Sequence, residues 1–161
     1  LAILALAGWA LWQQVPDDRT PAADLVQVQV IDVRRSDDRA AHVLVLREVA
    51  GERRLSMVIG EAEALAIATE LAGRRPPRPL THDLLRSAIE ALDGRVRRVE
   101  VTRLHGGTYF AHLVIERGQR RVEVDARPSD AIAVALRIGA PIYVQRALLE
   151  GSGPRPPSAT F

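Results

Sequence analysis

A chain of 161 residues, 47% hydrophobic but only 4% aromatic, is long enough for one domain whose core is mostly Val, Leu, Ile and Ala, and short for two. All 22 basic residues are arginine, and 20 acidic residues leave a formal net charge of +2. No global field therefore gathers polyanions, and nucleic-acid binding needs a local basic patch. The absence of cysteine excludes disulfides, thiol catalysis and cysteine-ligated zinc.

The apolar stretch LAILALAGWALW, residues 1–12, is shorter than the roughly 20 residues that span a bilayer. Trp9 and Trp12 followed by Gln13 and Gln14 resemble the interfacial end of a membrane anchor or signal segment clipped from a longer one; the alternative is a buried N-terminal helix. A membrane-anchored or exported protein is thus expected, with a cytoplasmic one as the alternative. Residues 13–24 read as a polar linker, 25–150 as the globular domain and 151–161 as a disordered tail.

Within the domain, LVQVQVIDV and HVLVLREV alternate with period two around a turn at Ser36-Asp37-Asp38, and Ala50-Gly51-Glu52 leads into a third strand, LSMVI. After Gly60, EAEALAIATELAG is helical up to Gly73. The extended RRPPRP precedes a second helix, with Thr81 as its cap, Leu84, Leu85, Ile89 and Leu92 as its apolar stripe and Gly94 as its stop. VRRVEVTRL, TYFAHLVIE and RVEVDA form a three-strand meander; a helix over 128–138 and a short strand at IYV follow.

The order repeats: three strands and a helix, a connecting helix, then three strands and a helix. LSMVIGEAEALAIATELAG aligns without a gap on VEVDARPSDAIAVALRIGA, with alanines at 64, 66 and 68 falling on 131, 133 and 135. The expected fold is α+β, with duplicated β-β-β-α units joined by a helix, a mixed or antiparallel sheet, and Ala-rich helices apolar enough to be enclosed. Asp130 corresponds to Glu63, both at the third helical position, where a carboxylate serves the exposed amides. Asp125 and Arg127 stand where the first unit has Val58 and Gly60. A polar notch at a helix start is a ligand-binding location; the alternative is a salt bridge of Asp125 with Arg127 or Arg121 at the sheet edge.

Three segments, MVIGEAEALAIATEL, PPRPLTHDLL and VEVDARPSDAIAVALRIGAPIYV, in order and with spacing intact, resemble the signature stretches of the bifunctional nuclease domain family over roughly residues 25–150. The resemblance implies a self-associating α+β domain that degrades both DNA and RNA. The family's recurring positions correspond here to Thr81, His82, Asp83, Asp125, Arg127, Ser129 and Asp130. The apolar start departs from the usual soluble members.

Phosphodiester hydrolysis needs an activated water and neutralisation of the developing phosphorane charge. The expected catalytic groups are His82, Asp83, Asp125 and Asp130, with Arg78, Thr81, Arg127 and Ser129 contacting substrate. On one route Asp125 and Asp83 hold Mg²⁺ or Mn²⁺. On the other, metal-free, His82 is general base and Arg127 or Arg78 clamps phosphate. The structural alternative makes Thr81 and Asp83 a helix start and Asp130 another. Two rivals stand beside the nuclease: a non-catalytic anion- or partner-binding module, and an oligomerising domain whose interface is the 128–138 helix. The expected partners are DNA, RNA and further copies of the chain, with membrane attachment through residues 1–12.

Overall fold

The computed structural model describes residues 24–36 and 41–150. The expectations for residues 1–12, most of the linker, Asp37, Asp38 and the tail lie outside the described residues. Among those that are described, no helix is long and apolar enough to cross a membrane.

The fold is α+β. Strands β1 (Leu25–Arg35), β2 (His42–Glu48) and β3 (Arg54–Ile59) lead into helix α1 (Glu61–Leu71); helix α2 (Thr81–Ala91) connects to β4 (Arg95–His105), β5 (Thr108–Arg117) and β6 (Arg120–Ala126), which lead into α3 (Pro128–Ile138). Strand β7 (Ile142–Gln145) and a short helix α4 (Arg146–Glu150) complete the order. Helix α4 has no counterpart among the elements expected from the sequence. One seven-stranded sheet runs β3-β2-β1-β7-β4-β5-β6, antiparallel except where β7 lies parallel to β4. The two three-strand meanders thus flank β7, and each feeds an 11-residue helix.

Alternation along the strands decides which side chains enter the core. Val26 and Val28 of β1, Leu44 and Leu46 of β2, Leu55 and Met57 of β3, and Ala111 and Leu113 of β5 all face the helices and are buried. Strict alternation would carry Asp32 into that layer. A bulge between Val30 and Asp32 prevents this: Ile31 is left without a partner across β2, and Val33 takes the inward position opposite Leu44.

Helices α1, α2 and α3 pack with α3 in the middle, on β4 and β5, with α1 on β1 and β2 to one side and α2 on the other. Alanines at 64 and 66 of α1 and at 131, 133 and 135 of α3 let these backbones approach one another and the sheet. One expectation is corrected by this layering. Both Ala-rich helices were expected to be enclosed. Only α3 is, because it alone has neighbours on both flanks as well as the sheet; Leu65 of α1 is 63% exposed. In the rival oligomerising reading the 128–138 helix forms the interface between copies, yet in the structure its flanks are covered by α1 and α2.

Helix α2 departs from its expected anatomy. Leu84 (64%), Leu85 (41%) and Leu92 (64%) are exposed, and of the expected stripe only Ile89 packs against the core. The buried residue of α2 is instead His82. Leu80, not Thr81, is the N-cap residue, and the Leu80 amide donates to Asp83 Oδ2 at 2.8 Å. At the other end Asp93, not Gly94, takes the left-handed conformation (φ 59°). Gly94 is needed for space: a Cβ there would stand 2.9 Å from Ile89 Cγ2 and 3.0 Å from the Ile89 carbonyl oxygen.

Candidate active site

The two conspicuous polar segments of the sequence, THD and RPSD, meet at the start of α3. Nε2 of His82 lies 3.0 Å from Asp130 Oδ1, while Arg127 Nε donates to Asp130 Oδ2 at 2.7 Å. The Arg127 guanidinium also donates to Glu63 of α1. One cluster therefore joins the first turns of α1, α2 and α3. His82 and Glu63 are nearly buried, their side chains 10% and 12% exposed, whereas Arg127 is 66% exposed and forms the outer rim.

The electrostatics follow from these contacts. Burial favours the protonated form of Asp130, but the hydrogen bonds from Arg127 and His82 outweigh it and hold the carboxyl below its ordinary range. Asp130 and Glu63 in turn raise the already high proton affinity of Arg127. The His82 ring faces Asp130 with Nε2, so Nδ1 lies on the side of the ring away from that carboxylate.

One residue along, Asp83 faces a different partner. Its Oδ1 accepts from Arg137 Nε at 2.7 Å, and Arg137 also donates to the Ala133 carbonyl (2.7 Å) and to the Ala66 carbonyl of α1 (3.3 Å). The Arg137 side chain is 2% exposed. Burial again works against ionisation of Asp83, and the Leu80 amide and Arg137 together overcome it, so its carboxyl also titrates low. Ser129 is buried in the first turn of α3, Thr81 is exposed on α2, and Arg78 is exposed in the connector beside Arg74 and Arg75.

Asp125 is not brought to this cluster. On β6, Val124 lies opposite Leu113 of the core layer, so the alternating residues Arg121, Glu123 and Asp125 project from the far face of the sheet. Asp125 is exposed there, opposite His112, which is itself opposite Glu100. The alternative reading, a salt bridge of Asp125 with Arg127 or Arg121, meets other pairings among the described residues. Arg127 takes Asp130 and Glu63, and Arg121 pairs with Glu100 and Glu123. Val58, the counterpart of Asp125, is also exposed, at 55%. The replacement of Val58 by Asp125 therefore changes an outward position, not a core one.

Divalent cations such as Mg²⁺ take several hard oxygen ligands. Both oxygens of Asp83 are engaged, Asp125 stands on the other face, and no group of three or more His, Asp or Glu side chains among the described residues is arranged to hold an ion. The described donor set does not fit a carboxylate-held metal.

Two members of the polar system were not singled out as site residues from the sequence, Glu63 and Arg137. The signal for Glu63 was its correspondence to Asp130. The signal for Arg137 was its isolation, a lone cation in an otherwise apolar helix, which burial obliges to find a carboxylate.

The model of the bifunctional nuclease domain matches residues 44–155. An uncharacterized protein of Mycobacterium tuberculosis is 46% identical over 127 residues, 79% of this chain and 76% of that protein. Bifunctional nuclease 1 of Oryza sativa is 26% identical over 125 residues, 75% of this chain and 38% of the plant protein. Bifunctional nuclease 1 of Arabidopsis thaliana is 28% identical over 104 residues, 63% of this chain and 32% of its own length. This chain thus spans about a third of the plant relatives' length and three quarters of the mycobacterial one's. With the family model matched over residues 44–155, the chain belongs to the bifunctional nuclease domain family.

Proposed function

We propose that this protein hydrolyses phosphodiester bonds of both DNA and RNA with little sequence preference, using His82 as general base. The observation that carries the reading is the 3.0 Å contact between His82 and Asp130. An ionised carboxylate on Nε2 selects the tautomer with its lone pair on Nδ1 and stabilises the imidazolium formed when that nitrogen takes a proton from water. Arg127 already faces two carboxylates, so little of its charge is left for a phosphate. The positive charge that a substrate needs comes instead from Arg78, with Arg74 and Arg75, all exposed on the connector that leads into α2. Thr81, exposed in the first turn of the same helix, adds a hydroxyl contact.

The test is digestion of single-stranded RNA and DNA by the full chain with and without EDTA. Cleavage should persist in EDTA, and His82→Gln should slow it by about 100-fold or more. Full activity in the variant removes His82 from the chemistry, and activity abolished by EDTA moves the reaction to a metal centre.

A second reading, self-association, is favoured by the exposure of Leu84, Leu85 and Leu92 on α2. Sedimentation of the chain should give an oligomer that Leu84→Glu/Leu92→Glu dissociates. A monomer at all concentrations ends that reading.

A further inference from the structure

We propose that Arg137 is a positioning residue for His82, acting through Asp83. The inference rests on the reading of His82 as the base. Arg137 is almost fully buried, and its three hydrogen bonds go to three different elements: the Asp83 carboxylate on α2, the Ala66 carbonyl on α1 and the Ala133 carbonyl of its own helix. Asp83 passes the constraint on, because its second oxygen accepts from the Leu80 amide and so fixes the first turn of α2 on which His82 stands. His82 then reaches Asp130 on the same helix that carries Arg137. The first turn of α2 is thereby attached to α3 by two adjacent side chains, one through a permanently charged fork and one through the imidazole.

A buried guanidinium with such a set of acceptors is more than apolar packing requires. Leucine or methionine would fill the volume without needing Asp83, and buried ion pairs bring little net stability over apolar substitutes. What the fork supplies is orientation: planar donors at fixed angles hold a carboxylate more narrowly than a lysine ammonium does. A general base displaced by about 1 Å loses about 100-fold in rate.

The experiment compares Arg137→Lys, Asp83→Asn, His82→Gln and the double variant Arg137→Lys/His82→Gln in the full chain. Imidazole NMR is recorded beside kcat and KM on single-stranded RNA. Arg137→Lys and Asp83→Asn should keep the near-wild-type fold by circular dichroism and leave KM unchanged. They should lower kcat about 10- to 100-fold and shift the His82 imidazole signals away from their Asp130-bonded positions. The double variant should be no slower than His82→Gln alone, because both changes remove the same function. Rate losses that multiply in the double variant, or His82 signals unmoved in Arg137→Lys, overturn the proposal. Should Arg137→Lys fail to fold, Asp83→Asn gives the same reading with the arginine in place. If His82→Gln is fully active while the signals still shift, the positioning stands and only the catalytic reading of His82 falls.

Discussion

Helix α1 (Glu61–Leu71) keeps Ala64, Ala66 and Ile67 inside and leaves Leu65 63% exposed, whereas α3 (Pro128–Ile138) has Ile132, Ala133, Val134 and Ala135 fully buried. The two helices have the same length, matching alanines and a carboxylate at the same third position. Position in the layer separates them: α1 is flanked by one helix, α3 by two. Their starts differ in a complementary way. Gly60 precedes α1, and a Cβ there would stand 2.2 Å from Glu63 Oε2. The glycine leaves room for the Glu63 carboxylate to fold over the helix start and accept from Arg127, the residue at the corresponding position before α3. Equivalent positions in two similar units have thus taken opposite roles, one giving space and the other filling it with charge.

The largest expected consequence of this difference concerns packing. Ile132→Ala should cost about 3 kcal/mol in urea unfolding, because an enclosed helix cannot relax around the lost volume. Equal losses on Ile132→Ala and on Leu65→Ala, its counterpart in α1, would mean that the two helices are equally enclosed.

The second consequence is electrostatic and lies at the helix starts. The folded-state pKa of Asp130 lies below the unfolded value of about 3.9, so the folded protein binds fewer protons there than the unfolded chain. The stability this contributes is present above that pH and is lost as pH falls through the lower folded value. Asp130→Asn should therefore be less stable than the parent by about 1 kcal/mol at pH 7, and the gap should close as pH falls from about 4 toward 2. Thermal melts across that range measure it, and a gap independent of pH would mean that the carboxylate's charge contributes nothing. The smallest effect is expected from Leu65→Ala itself, within about 0.5 kcal/mol, since an exposed leucine has little burial to lose.

Most of the fold was legible. Strand alternation located β1 to β6, the start and stop of α1 followed from Gly60 and Gly73, a helix was expected over 128–138, and the repeated order foretold two meanders. The candidate site was legible in part. The sequence singled out His82, Arg127 and Asp130, which meet; it also grouped Asp125 with them, and the sheet turns that residue to its other face. Asp83 was read as a carboxylate for metal or catalysis, with a helix start as the alternative; in the structure it accepts from the Leu80 amide at the start of α2 and holds Arg137. The leucines of α2 looked like a core stripe because helical periodicity identifies an apolar face without saying what lies against it.

Local chemistry along the chain was enough to determine where strands and helices lie, because period-two and period-3.6 patterns, proline and glycine act within a few residues. The nuclease family came from the resemblance of three ordered segments to known signature stretches, and the match of the family model over residues 44–155 bears it out. Which carboxylate serves which cation was decided only by tertiary structure: Glu63, His82 and Arg127 lie far apart in the chain and meet because α3 packs between α1 and α2 on one side of the sheet. Hydrogen bonds are short and directional, so the order of the helix layer and the face on which each strand residue emerges select the partners, and no pattern in the chain encodes either by itself.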